Sequence, residues 1–210
     1  MTRRVNAPVQ VRDFAFQPET ANDERRTITV VASTGAKVRR YSWFRDEAYN
    51  ESLSLDPAHV RIGRLQNGAP VLDQHRSYGS VADQLGVVES ARIENGRLLA
   101  DLRFSKRDDV APIWNDVKDG IIRNVSLGYV THKAQRIAPK NDGDLPELRA
   151  IDWEPLEVSL VKVPADAGAG GRSADPHADM RAFPCEVVDE TAEPSSTINT
   201  ETENRNMSTA

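Results

Sequence analysis

The sequence predicts a mainly β fold with some α structure, a closed or half-closed antiparallel β-barrel with peripheral helices. Two observations carry this prediction. Short β-branched and apolar runs, such as RTITVVAS and LEVSLVKV, recur between turn residues, whereas one segment alone has clear helical periodicity. Strands joined by short connections tend to pair antiparallel and to bury their apolar face against one another.

Composition divides the 210 residues into three parts. Residues 1–24 are polar, and we expect a flexible N-terminal arm. Residues 25–170 hold the apolar runs and are expected to form the folded domain. Residues 171–210 contain eight acidic residues and three arginines, a net charge of −5 that equals the charge of the whole chain. This segment has too few large apolar side chains to offset the entropy of ordering it, so we predict an acidic, largely disordered tail.

Several classes of function receive no support from the composition. Residues 1–170 are balanced in charge, which argues against general electrostatic binding of nucleic acid. No apolar run approaches the roughly 20 residues of a membrane span, and no secretory signal is visible. Cys185 is the single cysteine, no histidine pair has metal-ligand spacing, and no phosphate-binding loop occurs. We therefore expect no metal, no cofactor, no membrane contact and a reducing compartment.

The first predicted elements are strands at residues 26–33 and 37–44, a short helix near 57–65, and a strand at 70–72 that ends in a polar loop. Leu85–Glu94 and Arg97–Phe104 are predicted to form a hairpin, because Asn95-Gly96 readily takes the positive φ values of a tight turn.

The clearest predicted helix covers Lys106–Asp119. Its apolar residues recur at i, i+3, i+4 and i+7 and form one stripe: Val110, Ile113, Trp114 and Val117. Ser105 and Asp108 resemble a capping box at its start, and Gly120 is expected to end it.

The next predicted strand, RNVSLGYV, has an unusual face. Alternation places Ser126 and Gly128 on one side and the larger apolar residues on the other. A face with only Ser and Gly leaves room for another backbone. Ser126 is on these grounds either strand filler or a nucleophile, and a nucleophile needs a base within reach.

Two further residues belong to this question. His75 follows a short apolar strand, where a histidine is ordinarily a surface or hydrogen-bonding residue. Glu157 lies in the apolar strand LEVSLVKV and needs a partner; Asp152 and Glu154 are nearby carboxylates that serve equally well.

Four segments in order resemble the prohead proteases of tailed phages, the capsid-maturation serine proteases related to herpesvirus assemblins. They are PVLDQH (70–75), the hairpin LGVVESARIENGRLLADLRF (85–104), DGIIRNVSLGY (119–129) and EPLEVSLVKVPAD (154–166). The resemblance covers residues 25–168. It implies an assemblin-like barrel of about seven strands, often dimeric. The opening segment of that family, GDxxxPGAF, has no clear counterpart here.

The resemblance also implies a site and an activity. His75 matches the family's histidine, Ser126 its nucleophile, and Glu157 falls on the family's glutamate, with Asp152 and Glu154 as alternates. The chain is then expected to be a serine endopeptidase in which His75 takes the Ser126 proton and Glu157 orients the imidazole. Its substrates would be phage scaffold and major capsid proteins, and its own tail, inside the assembling prohead in the cytoplasm of the bacterial host.

Two alternatives remain open on the sequence alone. One is a proteolytically inactive, protease-like scaffold or capsid-assembly protein. The other is a β-barrel binding module in which His75 and Ser126 have no functional role.

Overall fold

A computed structural model describes residues 2–16, 18–42, 47–162 and 182–189 of the chain. The end of the predicted strand 37–44 and the glycine-rich segment 167–171 lie outside these residues. Within them are two α-helices, α1 (Gly63–Gln66) and α2 (Ala111–Lys118), and three 3₁₀ turns (Pro18–Thr20, Pro57–His59 and Val81–Asp83). The strands are β1 (Thr2–Pro8), β2 (Gln10–Ala15), β3 (Thr27–Ser33), β4 (Val38–Ser42), β5 (Glu47–Leu53), β6 (Pro70–Asp73), β7 (Gln84–Glu94), β8 (Arg97–Phe104), β9 (Asn124–Ile137), β10 (Glu147–Val161) and β11 (Ala182–Asp189).

The eleven strands of the described residues form one large mixed sheet, which confirms a mainly β fold with few helices. Its main path runs β1-β11-β9-β10-β6-β7-β8-β3, with β2 against β9, and β5 between β10 and β4. Strand β10 is parallel to β5 and β6, and β11 is parallel to β9, while the other pairs are antiparallel. Across the described residues no ladder closes this path, so the sheet is not closed, and the predicted closed or half-closed, assemblin-like antiparallel barrel is not confirmed. A single bridge links Phe16 to Val30.

Strands β9 and β10 are the centre of the sheet. They pair along almost their whole length, from Ile137 opposite Glu147 to Asn124 opposite Val161. On the far side of β9, β2 and β11 follow one another along its length. The main core packs against these strands and includes the fully buried side chains Phe104, Trp114, Leu127, Tyr129 and Trp153.

The hairpin at Asn95-Gly96 is confirmed. Asn95 has φ 51° and Gly96 has φ 69°, and β7 pairs with β8 from Glu94 and Arg97 onwards. Both residues tolerate positive φ, which matches the right-handed twist of the flanking strands.

Helix α2 is shorter than predicted. It begins at Ala111, and Pro112 lies in its first turn. Proline lacks an amide hydrogen and clashes with the preceding turn, so it is tolerated only at a helix start. The predicted capping box is replaced by a local bond in which the Arg107 amide donates to Ser105 Oγ at 3.2 Å. The predicted stripe is present, since Val110, Trp114 and Val117 are buried.

Both flanking segments of the chain contain strands. Strands β1 and β2 lie within residues 1–24, and β11 lies within residues 171–210. Strand β11 pairs with β1 on one side and β9 on the other, and it contributes Cys185 and Val187 to a small second core. The two ends of the described chain are therefore joined in one sheet.

Candidate functional site

A polar cluster is built across β9 and β10. Their register places Ser126 opposite Ser159 and Gly128 opposite Glu157. Residues opposite one another in a ladder share a face, so these four positions lie together. Ser126 and Ser159 are fully buried, and Glu157 is 8% exposed.

The room left by Gly128 is filled by Glu157. A Cβ atom at Gly128 would overlap the Glu157 carboxylate. The sequence predicted open space on this face for an approaching backbone; in the structure a carboxylate from the neighbouring strand occupies it. Glycine is needed here because of this close approach rather than for its backbone freedom.

His75 reaches the cluster from the turn after β6. Gln74 and His75 have φ values of 49° and 59°, in the left-handed region that non-glycine residues rarely adopt. His75 Nδ1 lies 2.7 Å from Glu157 Oε1, and the His75 amide donates to Ser159 Oγ at 3.0 Å. The structure thus brings His75 and Glu157 together, although 82 positions separate them in the sequence.

Ser126 lies in the same region but is not hydrogen-bonded to His75. Its Oγ is buried and has no hydrogen-bond partner among the residues that the structure describes. A nucleophilic serine depends on a hydrogen bond to its base. Of the predicted triad, the structure therefore joins the histidine to the acid and leaves the serine unengaged.

The alternate carboxylates have other partners. Asp152 accepts two hydrogen bonds from Arg61, each 2.6 Å long, and this bonding raises the pKa of Arg61. Glu154 accepts from Arg64 Nε at 2.8 Å and lies 3.6 Å from His132 Nε2. The partners of Asp152 and Glu154 in these contacts are thus Arg61, Arg64 and His132, and not His75.

Ser159 also belongs to this polar cluster, although it was not predicted from the sequence as a site residue. Its Oγ accepts from the His75 amide and donates to Glu157 Oε2 at 2.5 Å, so it connects the turn to the carboxylate. Strand alternation already placed Ser159 on the face of Glu157, which is the signal that identifies it.

A second buried polar cluster, on the other face of β9, was also missed. Glu51 Oε2 accepts from Tyr129 Oη at 2.7 Å, from Arg40 Nε at 3.1 Å and from Arg12 at 3.4 Å. Arg12 also donates to the carbonyls of Ala36 and Glu51. Burial and the adjacent Glu51 carboxylate raise the pKa of Tyr129 well above its usual range, so the phenol stays neutral.

Arg40 completes this cluster. It also donates to the Val11 carbonyl at 2.7 Å. Burial alone would lower the pKa of Arg40, but the charge of Glu51 raises it above its usual value. Two arginines from β2 and β4 thus share one carboxylate from β5. We call Arg12, Arg40, Glu51 and Tyr129 the arginine brace.

Two surface cavities among the described residues are not lined by residues of either polar cluster. Their volumes are about 450 and 470 Å³, and they are lined by other residues, among them Arg25 and Asp101 in one and Arg64 and Glu154 in the other. In the described ranges no three His, Cys, Asp or Glu side chains come together as a metal site would require. None of the described helices is long and apolar enough to cross a membrane.

Comparison with known proteins gives two relatives, both from phages. The chain is 40% identical over 135 residues to a protein named "Major capsid protein" from Halomonas phage phiHAP-1, a match that covers 63% of this chain and 21% of the relative. It is 24% identical over 155 residues to the "Capsid polyprotein" of Pseudomonas phage PAJU2, covering 70% of this chain and 20% of that protein. The chain therefore spans about a fifth of the length of these relatives. No family model matches it, and no solved structure is significantly similar.

These names overturn the protease interpretation. Both relatives are named for capsids, and neither name describes a protease. The resemblance to prohead proteases, the assignment as a serine endopeptidase and the expected cleavage of capsid proteins and of its own tail are therefore wrong. The phage and capsid context of the prediction is the part that the comparisons support.

Proposed function

We propose that this chain is a structural segment of a phage capsid protein. The observation that carries this proposal is the 40% identity over 135 residues to the major capsid protein of phage phiHAP-1. The chain corresponds to about a fifth of that protein. It acts as one structural unit, and its partners are other capsid proteins of the same particle, either in the assembling capsid within the host cell or in the phage particle.

The geometry supports a structural role in two ways. The long β9–β10 ladder and the arginine brace hold the sheet rigidly from within. At the margins of the sheet, β1 and β4 each pair with one strand among the described residues, β1 with β11 and β4 with β5. The other edge of β1 and of β4 can therefore pair with a strand of a neighbouring protein.

A half-closed barrel of seven strands is part of this proposal. The bridge between Phe16 and Val30 brings the end of β2 against β3. Since β2 pairs with β9 and β3 pairs with β8, this bridge supports a half-closed arrangement of seven strands, in the order β2, β3, β8, β7, β6, β10 and β9. We also propose that the chain is divided into residues 1–24, 25–170 and 171–210 and that it forms a homodimer.

His75, Ser126 and Glu157 serve this unit as an internal polar site rather than as a reactive one. The contact between His75 and Glu157 ties the turn after β6 to the central strands. Ser126 fills the buried position beside them, opposite Ser159.

Mass spectrometry of particles from a phage that encodes this chain tests the proposal. Peptides from residues 47–162 are expected in mature particles at a stoichiometry similar to that of the shell protein. Peptides found before maturation and lost from mature particles would contradict a structural role.

A fluorophosphonate probe tests the role of the polar site separately. No labelling is expected for the wild-type protein or for Ser126→Ala, because Ser126 is fully buried and no base among the described residues is hydrogen-bonded to it. Stoichiometric labelling that Ser126→Ala abolishes would contradict the structural assignment of this residue.

A further inference from the structure

The turn at Gln74 and His75 is held in an unfavourable backbone conformation. Both residues have positive φ, 49° and 59°, and neither is glycine or asparagine. In the left-handed region the Cβ atom approaches the following carbonyl oxygen, so each residue favours leaving this conformation. Two such residues in succession persist only when surrounding contacts hold them.

Those contacts come from three positions near the end of β10. The Gln74 amide donates to the Leu160 carbonyl at 3.0 Å, and the His75 amide donates to Ser159 Oγ at 3.0 Å. Ser159 Oγ in turn donates to Glu157 Oε2, while Glu157 Oε1 lies 2.7 Å from His75 Nδ1. Ser159 therefore accepts from the strained backbone and donates to the carboxylate that holds the strained residue's side chain.

The segment that follows is organised by more exposed contacts. The Ser77 amide donates to the His75 carbonyl at 2.7 Å, and Arg76 pairs with Asp73 and Asp83 at 3.5 and 3.7 Å. Ion pairs as exposed as these contribute little to stability. The same segment presents Tyr78 and Val81, which are 65% and 90% exposed.

We propose that Ser159 is the positioning residue of a conformational latch. Ser159 and Glu157 hold the strained turn at Gln74 and His75, and loss of their bonds releases the strain and frees the segment that follows, residues 76–83. Because Tyr78 and Val81 lie in this segment, the buried hydroxyl of Ser159 determines where two exposed apolar side chains are presented. The latch follows from the contacts alone and does not depend on a capsid role.

Ser159→Ala, measured by hydrogen exchange of the full chain, tests the latch. Ser159→Ala removes both hydrogen bonds of Ser159 Oγ, and exchange of residues 74–80 is expected to be at least about tenfold faster, with the β7–β8 hairpin unchanged. Ser90→Ala is the matched control, since Ser90 Oγ also donates to a carboxylate, Asp101, at 2.5 Å. It is expected to leave residues 74–80 unchanged. Unchanged exchange in Ser159→Ala, or an equal rise throughout the sheet, would overturn the proposal.

A pair of substitutions at Gln74 tests the strain independently if Ser159→Ala does not fold. Both Gln74→Gly and Gln74→Ala remove the 3.3 Å contact from Gln74 Nε2 to Asp73, but only glycine adopts positive φ without a Cβ penalty. Exchange of residues 74–80 is expected to be several-fold slower in Gln74→Gly than in Gln74→Ala. Equal exchange in the two variants would mean that no strain is stored, and the latch would be rejected.

Discussion

At the scale of single residues, Glu157 shows what strand alternation predicts and what only the three-dimensional structure reveals. Its two oxygens contact His75 and Ser159, and its carboxylate fills the space above Gly128. Strand alternation places Glu157 and Ser159 on one face of their strand, and it places Ser126 and Gly128 on one face of theirs. It carried no information on which strands are neighbours, so the meeting of these faces and the link to His75 were not derivable from the pattern.

Gly128→Ala is expected to destabilise the protein by about 1–3 kcal/mol, because the new methyl group overlaps the Glu157 carboxylate. Gly63→Ala is the matched control, since a Cβ atom added at Gly63 would meet no other atom within 4 Å. It is expected to stay within about 1 kcal/mol of the wild type. Urea denaturation measures both, and a Gly128→Ala variant as stable as Gly63→Ala would contradict the close packing.

Tyr129 gives a prediction on pH. Its folded-state pKa is raised above the ordinary value of 10.0 by burial and by Glu51. In the unfolded chain the phenol ionises near that ordinary value, so the stability it contributes is present below this pH and is lost as the pH rises above it. Between pH 9 and pH 11, roughly one unit either side of the usual tyrosine pKa, the Tyr129→Phe variant is expected to lose less stability than the wild-type protein. Parallel stability profiles for the two proteins would contradict the raised pKa.

At the scale of elements, the sequence predicted where strands and helices occur better than it predicted the residues at which they begin and end. The hairpin at Asn95-Gly96 was predictable because its turn chemistry is local. Helix α2 began later than predicted because Pro112 must lie in the first turn, a signal that the apolar stripe concealed. Strand β10 begins at Glu147, well before the predicted run at Leu156, because pairing with β5 and β9 extends it through charged residues.

The arginine brace predicts a strong dependence of β2 and the β4–β5 hairpin on Glu51. Glu51→Gln leaves two buried arginines without their carboxylate and is expected to cost about 3–5 kcal/mol. Glu94→Gln, which breaks an exposed pair with Arg92, is expected to cost less than about 1 kcal/mol. Thermal unfolding compares the two, and equal losses would show that the brace contributes no more than a surface ion pair.

At the scale of the whole molecule, the mainly β composition was predictable and the strand order was not. Strands β1 and β11 lie in segments that the sequence assigned to a flexible arm and a disordered tail. Their stability comes from pairing with each other and, for β11, with β9, so a local window of either segment shows little of it. The parallel pairs of β10 with β5 and β6 are likewise set by tertiary contacts rather than by adjacent turns.

Cys185 reports on this long-range pairing. It lies opposite Val5 in the β1–β11 ladder and is 4% exposed, and burial raises the pKa of its thiol to about 11. Alkylation by iodoacetamide at neutral pH is expected to be slow in the native protein and complete in urea. Val5→Asp should accelerate native alkylation, whereas Arg3→Asp, at an exposed β1 position, should not. Rapid alkylation of the native wild type would contradict the pairing.

The pairing of β1 with β11 also has a consequence for synthesis on the ribosome. Val5 pairs with Cys185, so β1 is synthesised long before its partner strand β11. At the usual 5–20 residues per second, the wait for the intervening residues is roughly 10–40 s. Throughout that time β1 is an unpaired strand, and its adjacent Arg3 and Arg4 place positive charge on it. Charge on an unpaired strand discourages its association with other chains, so we expect Arg3 and Arg4 to limit mispairing of β1 until β11 has been synthesised.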